Sequence, residues 1–504
     1  MREALFSKFF LRDHLLSLSV DRSQFSATQI RVAIERQQRA LQAHGVRQGA
    51  CVGVWAQRDV RTIIAILANL RAGVVTVPLN PSLGRMELEH ILNDARPTIL
   101  FAADPAAIVT PSVAIVLDDL PAEHALDEPP SRATLDDHSA HDSAFVLYTS
   151  GTTGLPKGAM LSIRNLLCSL QGLERAWELG PADTVIHALP LFHVHGLCVG
   201  LLGALAAGAA FHWITQFEPA VLADAIADIS VNSQAVLYAV PTMYHRLAEL
   251  AERSPHVASA LRRARLLISG SAALPTREIE RIYRVTGQYV RERYGLTETL
   301  INTAVRAADL PRPGWVGPAL DQIECRLVDD ARKPTIASDG ESIGEVAVRG
   351  DNVFEGYLHR PDATASVRDE NGWFYTGDLA VMSADGWLKI VGRRASDLIK
   401  SGGYKIGAGE IEAALLEHAA VRECAVVSVE DSDLGEKIIA FVVCDPQQSA
   451  VSERELQQWV TELLAPHKRP RVVCFVDELP RNAMGKVLKT ELKKMVQPAQ
   501  KASS

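Results

Sequence analysis

From about Cys51 to Cys325 the chain alternates short apolar runs with segments of helical period, and no other feature limits its fold so strongly. "FVLYTS" (145–150), "AVLYAV" (235–240) and "ARLLISG" (264–270) each end in a loop that leads into a helical pattern. Strands joined through helices run parallel, because only a crossover of that length can return the chain to the same edge. The pattern predicts an α/β region whose ligand-binding loops lie at the carboxyl ends of its strands. After Gly392 the texture changes. "DLIKSGGYKIGAGEIEAALLEH" reads as strand, glycine turn, strand and helix, and "VRECAVVSV" and "KIIAFVVC" as two more strands. Ser452 and Glu455 are spaced as a capping box opening the amphipathic "SERELQQWVTELL". This is a small α+β unit of a size normal for a separate domain. A boundary near Arg394 gives a large unit, 1–394, and a small one, 395–504.

A chain of 504 residues, 47% hydrophobic and 22% charged, is too long for one core and apolar enough for two. Its net charge of −8 argues against nucleic acid or an acidic membrane surface as partner, since both need a basic face. The seven cysteines (Cys51, Cys168, Cys198, Cys325, Cys424, Cys444, Cys474) are scattered, with no close pair of the zinc or redox kind, which suits a reducing cytoplasm. The N-terminal "MREALFSKFFLRDHLL" carries too many charges for a signal peptide and reads as the first helix. "GLCVGLLGALAAGAAF" (196–211) is too short to span a membrane and reads as a buried helix. The acidic stretch Asp118 to Asp142, with His138 and His141, reads as a solvated surface loop, and the tail "QPAQKASS" as a frayed end.

"YTSGTTGLPKGAM" (148–160) has the composition of a phosphate cradle. Glycines let backbone N–H groups approach phosphate oxygens, hydroxyls donate to them, and Lys157 adds a point charge. It is no Walker A loop, because Lys157 stands between Pro156 and Gly158. A flexible hydroxyl-rich turn fits the same composition. "VRERYGLTETL" (290–300) sets Glu298 in a hydroxyl-rich turn and Arg293 at the end of a strand, so a metal or phosphate and a second anion are expected there. Arg246 lies in "VPTMYHRLAELAER", where Pro241 opens a helix with Met243, Leu247 and Leu250 as its apolar stripe. A snorkelling arginine fits that spacing as well as a functional one.

"YTSGTTGLPKG", "LPLFHVHGL" (189–197), "ERYGLTET" (292–299), "YTGD" (375–378), "GRRASDLIKSGGYKIGAGEIE" (392–412) and "PRNAMGKVLK" (480–489) occur in an order that resembles the acyl-CoA synthetases of the adenylate-forming superfamily. In detail the chain looks most like malonyl-CoA synthetases. The resemblance implies the adenylate-forming fold with a mobile small domain, and two half-reactions: a carboxylate attacks the α-phosphorus of ATP, and coenzyme A then displaces AMP. It implies that Thr149, Ser150, Gly151, Thr152, Thr153, Gly154 and Lys157 hold the departing phosphates and that Glu298 binds Mg²⁺, a hard ion suited to oxygen ligands. Asp378 takes the ribose with Arg393 beside it. Ser271, Ala272 and Ala273 and the backbone of Glu292, Arg293, Tyr294 and Gly295 line the purine, with Thr297 also in the nucleotide-binding set. Lys486 bridges the carboxylate and the α-phosphate, and Ser401, Gly402 and Gly403 line the coenzyme A channel.

His195, Arg246, Ser271 and Arg293 match positions that hold the second carboxylate of malonate. Physical chemistry agrees, since a diacid keeps one charge after its other carboxylate is adenylated and arginine can grip it with two parallel hydrogen bonds. Val194 and Leu296 depart from residues common in relatives and leave methylmalonate open. One extra residue between Gly392 and Leu398 leaves the hinge anywhere from Arg394 to Asp397. The competing readings are a fatty- or aryl-acyl-CoA ligase whose arginines only form ion pairs, and a silent interaction protein on the same scaffold. ATP, coenzyme A and a small diacid are the expected partners, with no obligate protein partner.

Overall fold

The computed structural model describes residues 16–102, 114–116, 143–149, 156–229, 232–394, 397–401, 404–431, 433–446, 448–481 and 487–496. The expected first helix, the acidic loop with His138 and His141, and the C-terminal tail fall outside them.

Two large sheets build the first part of the chain. One runs Thr303–Ala304, Val290–Tyr294, Leu266–Ser269, Gln234–Ala239, Asp183–His187, Ala210–Trp213, Leu16–Val20, Ser23–Ser26. Its interior pairs are all parallel and only the two edge strands are antiparallel. The other runs Gly356–Tyr357, Lys157–Ser162, Ser143–Thr149, Val75–Leu79, Cys51–Trp55, Ile99–Ala102, Ala114–Val116, with the antiparallel hairpin Ser143–Thr149/Lys157–Ser162 joined to a parallel set. The strands expected at 145–150, 235–240 and 264–270 are therefore present, within a residue or two. Ser162 caps the helix Ile163–Trp177 by accepting from the Asn165 N–H. Trp177 is fully buried in a core that takes residues from both sheets, including Phe145 and Tyr238.

An antiparallel sheet, Ile323–Val328, Gly344–Gly350, Phe374–Met382, Leu388–Arg393, follows. From Leu398 a new sheet begins: Tyr404–Gly407, Leu398–Ser401, Gly435–Cys444, Val421–Asp431, with Val472–Phe475 alongside Gly435–Cys444. Its strands bury alternate residues on opposite faces, as period two requires. Val426 packs with Ile411 and Leu456 on one side, while Val427 packs with Phe441 and Leu492 on the other. The Ser452–Glu455 capping box is formed, and Pro241 opens the helix Pro241–Arg253.

The apolar run 196–211 is buried but is not one α-helix. His195–Leu202 forms wide π-helical turns, Gly203–Ala207 is α-helical, and Ala210–Trp213 is a strand. A Cβ at Gly196 would meet the Pro190 carbonyl oxygen at 2.3 Å, and one at Gly200 would meet His187 Nε2 at 2.2 Å. These turns lie directly on neighbouring chain where no side chain fits, and Gly208, with φ 70°, ends the helix. Wide turns of this kind gather at functional sites.

Candidate active site

The Val290–Tyr294 strand delivers most of the site. After Tyr294 the chain doubles back so tightly that a Cβ at Gly295 would lie 1.8 Å from the Leu300 carbonyl oxygen, and the Asn302 N–H closes the loop on Tyr294 O at 2.8 Å. The turn holds Thr297 and Glu298. The Glu298 carboxylate is 9% exposed and accepts the Tyr357 hydroxyl on Oε1 at 2.8 Å. Tyr357 belongs to the short strand paired with Lys157–Ser162, opposite Ala159, and the Lys157 ammonium lies 5.2 Å from its ring centroid. Tyr357 thus joins the Ser143–Thr149/Lys157–Ser162 hairpin to the acid. Thr149 and Lys157 form the last pair of that hairpin; Ser150, Gly151, Thr152, Thr153 and Gly154 lie outside the described residues.

Among the described residues no group of three or more His, Cys, Asp or Glu could enclose a metal. Mg²⁺ needs no such cage, since one carboxylate, phosphate oxygens and water satisfy it. Glu298 fits that role, because Oε2 has no hydrogen bond among the described residues.

Asp378, almost fully buried, accepts the Tyr294 hydroxyl on Oδ2 at 2.6 Å and Arg393 Nε on Oδ1 at 2.6 Å. Asp378 and Arg393 face each other across adjacent antiparallel strands, so their proximity follows from register. Burial and the Asp378 charge drive the Tyr294 phenol well above its ordinary range, which keeps it a donor. The Ser271–Ala273 loop is exposed, and Ser271 sits at φ +73°, a strained conformation for a residue with a Cβ. The Glu292 side chain braces this loop: its carboxylate accepts the Leu274 N–H at 3.3 Å and the Gly314 N–H at 3.1 Å. Burial raises its pKa to about 7.

Deeper in, polar groups gather without partners. Arg293 is 6% exposed, and its Nε and Nη2 have no hydrogen-bond partner among the described residues. Burial lowers its pKa to about 10. His195 Nδ1 shares a hydrogen bond with Ser271 Oγ at 3.2 Å, while its Nε2, the Tyr238 hydroxyl and Ser269 Oγ lack partners. Burial, then the nearby Arg293 charge, holds the His195 pKa well below its ordinary value, so the ring is neutral. Arg246 is placed differently. It is exposed on its helix while Met243 and Leu247 are buried, and it has no ion pair among the described residues.

The chain leaves this site through a trussed segment. The Arg394 guanidinium bonds Glu345 Oε2 at 2.5 Å and Asp330 Oδ1 at 3.0 Å. Asp397 accepts the Arg393 N–H at 2.8 Å and Lys489 Nζ at 2.6 Å, and Lys489 also meets Glu412 Oε1 at 2.7 Å. Ser401 is buried at the end of its strand, whereas Gly402, Gly403 and Lys486 lie outside the described residues. Sequence reasoning missed Tyr357, Tyr238, Gly270 and Lys489. Only Lys489 had a usable signal, being the last residue of the "PRNAMGKVLK" motif.

The glycine- and hydroxyl-rich hairpin, the buried Glu298 and the Asp378–Arg393 pair, followed by a small α+β unit, make up the layout of adenylate-forming enzymes. The sequence profile described as "AMP-binding enzyme" matches residues 12–358, and "AMP-binding enzyme C-terminal domain" matches 410–486. The chain belongs to the AMP-binding enzyme family. It is 34% identical over 486 residues to the mitochondrial malonate-CoA ligase of Bos taurus, covering 90% of this chain and 82% of that protein. Among solved structures, a malonyl-CoA ligase in a ternary product complex with methylmalonyl-CoA and AMP is 44% identical, with TM-score 0.67, covering 92% of this chain and 96% of that one. ATP-bound MatB from Rhodopseudomonas palustris is 32% identical, with TM-score 0.85, covering 99% and 100%. No helix among the described residues is long and apolar enough to cross a membrane.

Proposed function

We propose that the protein is an AMP-forming acid-thiol ligase that activates malonate, with methylmalonate as a second acid, and transfers it to coenzyme A. The observation that carries the reading is Arg293, a buried guanidinium with two unpartnered donors beside a neutral His195. An unpaired buried charge costs several kcal/mol, and a second substrate carboxylate removes that cost. A monocarboxylate leaves it in place. The malonate-CoA ligase names of the relatives support the same choice.

In the first half-reaction one malonate carboxylate attacks the α-phosphorus of ATP, and the bond to the β-phosphate oxygen breaks. Lys157 and the hairpin residues from Thr149 onward take the leaving pyrophosphate, Asp378 and Arg393 hold the ribose, and the Ser271–Ala273 and Glu292–Gly295 segments border the purine. Glu298 would hold Mg²⁺, which when bound neutralises phosphate charge. Lys486 spans the attacking carboxylate and the α-phosphate, while Arg293, His195 and Ser271 hold the distal carboxylate, with Arg246, exposed on its helix, as the second arginine of that set. In the second half-reaction the coenzyme A thiol, entering past Ser401–Gly403, attacks the acyl carbon and AMP leaves.

We place the domain boundary at Arg394 and let the small domain turn about the Arg394–Asp397 segment between the steps. Seven free thiols suit a reducing compartment, which we take to be the cytoplasm. A panel of malonate, methylmalonate, acetate, butyrate, octanoate and benzoate tests the substrate. Malonate should lead, and octanoate outrunning it would refute the reading.

A further inference from the structure

Arg293 does not lie in open space. An ideal Cβ at Gly270 would stand 2.3 Å from Arg293 Nε, 2.4 Å from Cζ and 2.7 Å from Nη2. The register explains the approach: Ser269 pairs with Glu292, so the next positions, Gly270 and Arg293, emerge on the same face of adjacent parallel strands. The guanidinium lies flat over the end of the Leu266–Ser269 strand because position 270 has no side chain. Glycine is not needed there for the backbone, since Gly270 is not among the residues with positive φ.

We propose that Gly270 is a specificity-determining residue, making the room in which Arg293 presents its Nε–Nη2 edge to the distal carboxylate of the substrate. Nε and Nη2 are the two donors without partners and also two of the three atoms nearest the glycine. That edge is the one a carboxylate grips with two parallel hydrogen bonds. His195 and Tyr238 both feel the Arg293 charge, consistent with a guanidinium directed across Gly270 toward the Gln234–Ala239 strand. A methyl group at position 270 meets only the far end of a flexible side chain, so it displaces the guanidinium more readily than the fold. The inference rests on Arg293 holding a substrate carboxylate.

The test is a double-mutant cycle of Gly270→Ala and Arg293→Ala, measured on malonate and on butyrate, with thermal unfolding of all four proteins. Gly270→Ala alone should raise the malonate KM about tenfold or more with kcat and the ATP KM changed much less. In the Arg293→Ala background, where the space is vacated, the same change should alter malonate kcat/KM less than about twofold. If Gly270→Ala unfolds but the double variant folds, the methyl group collides with Arg293 as inferred. An equal loss in both backgrounds, or a rise in ATP KM as large as that for malonate, overturns the proposal. Should the wild type prefer butyrate to malonate, the malonate reading fails by itself; coupling between positions 270 and 293 on butyrate would still uphold the steric part, and its absence would remove that as well.

Discussion

The Tyr357 hydroxyl donates to Glu298 Oε1 at 2.8 Å across 59 residues of sequence, and this bond ties the hairpin that ends in Lys157–Ser162 to the acid of the adjoining turn. A buried carboxylate that loses a donor is destabilised by about 1–3 kcal/mol and is no longer held in one rotamer. Tyr357→Phe should therefore lower kcat/KM for MgATP by about tenfold while the malonate KM stays within about twofold. Titrating Mg²⁺ at fixed ATP checks the cause, and a change confined to malonate KM would contradict it.

Glu292 supplies a pH signature. Burial raises its pKa from 4.5 to about 7, so the folded protein binds a proton that the unfolded chain has released. Stability from this group is present below pH 4.5, falls as pH rises to about 7, and is flat above that. The full swing is on the order of 3 kcal/mol. Urea melts of wild type and Glu292→Gln should diverge across that interval, the variant gaining relative to wild type as pH rises. A pH-independent difference would show that Glu292 titrates normally.

Lys489 sits between two carboxylates. Burial opposes its charge, but Glu412 and Asp397 outweigh it and hold its pKa above the ordinary lysine value. Lys489→Met leaves two carboxylates facing each other without a cation and should cost about 3–5 kcal/mol. Adding Asp397→Asn and Glu412→Gln should recover much of the loss in the same denaturation assay; no recovery would mean that Lys489 acts through packing instead.

Lys486→Ala should abolish adenylate formation, by about a hundredfold or more, and still convert supplied malonyl-adenylate with coenzyme A. Pyrophosphate release and thioester formation are measured separately. Equal loss of both half-reactions would remove Lys486 from the role given to it.

Local patterns in the sequence were enough for the α/β strands, the capping box at Ser452 and the Pro241 helix start. Relations set by register were not legible. Nothing in "GSAALP" says that Gly270 lies under Arg293, because that depends on which strands adjoin. Nor does the sequence show that the Glu292 side chain turns to two N–H groups of neighbouring loops. The run 196–211 has a helix's composition, but glycines packed on Pro190 and His187 widen its turns, and close approach leaves no periodic trace. The two arginines at 246 and 293 read alike as cations near an acyl pocket, and burial separates them.

We propose that the buried Arg293 selects a diacid. The most direct measurement is kcat/KM for malonate and butyrate in wild type and Arg293→Ala. Loss of the distal contact should lower malonate turnover by about two to three orders of magnitude and raise butyrate turnover, so that the preference collapses or inverts. A variant that still prefers malonate to butyrate by the wild-type margin would contradict the account.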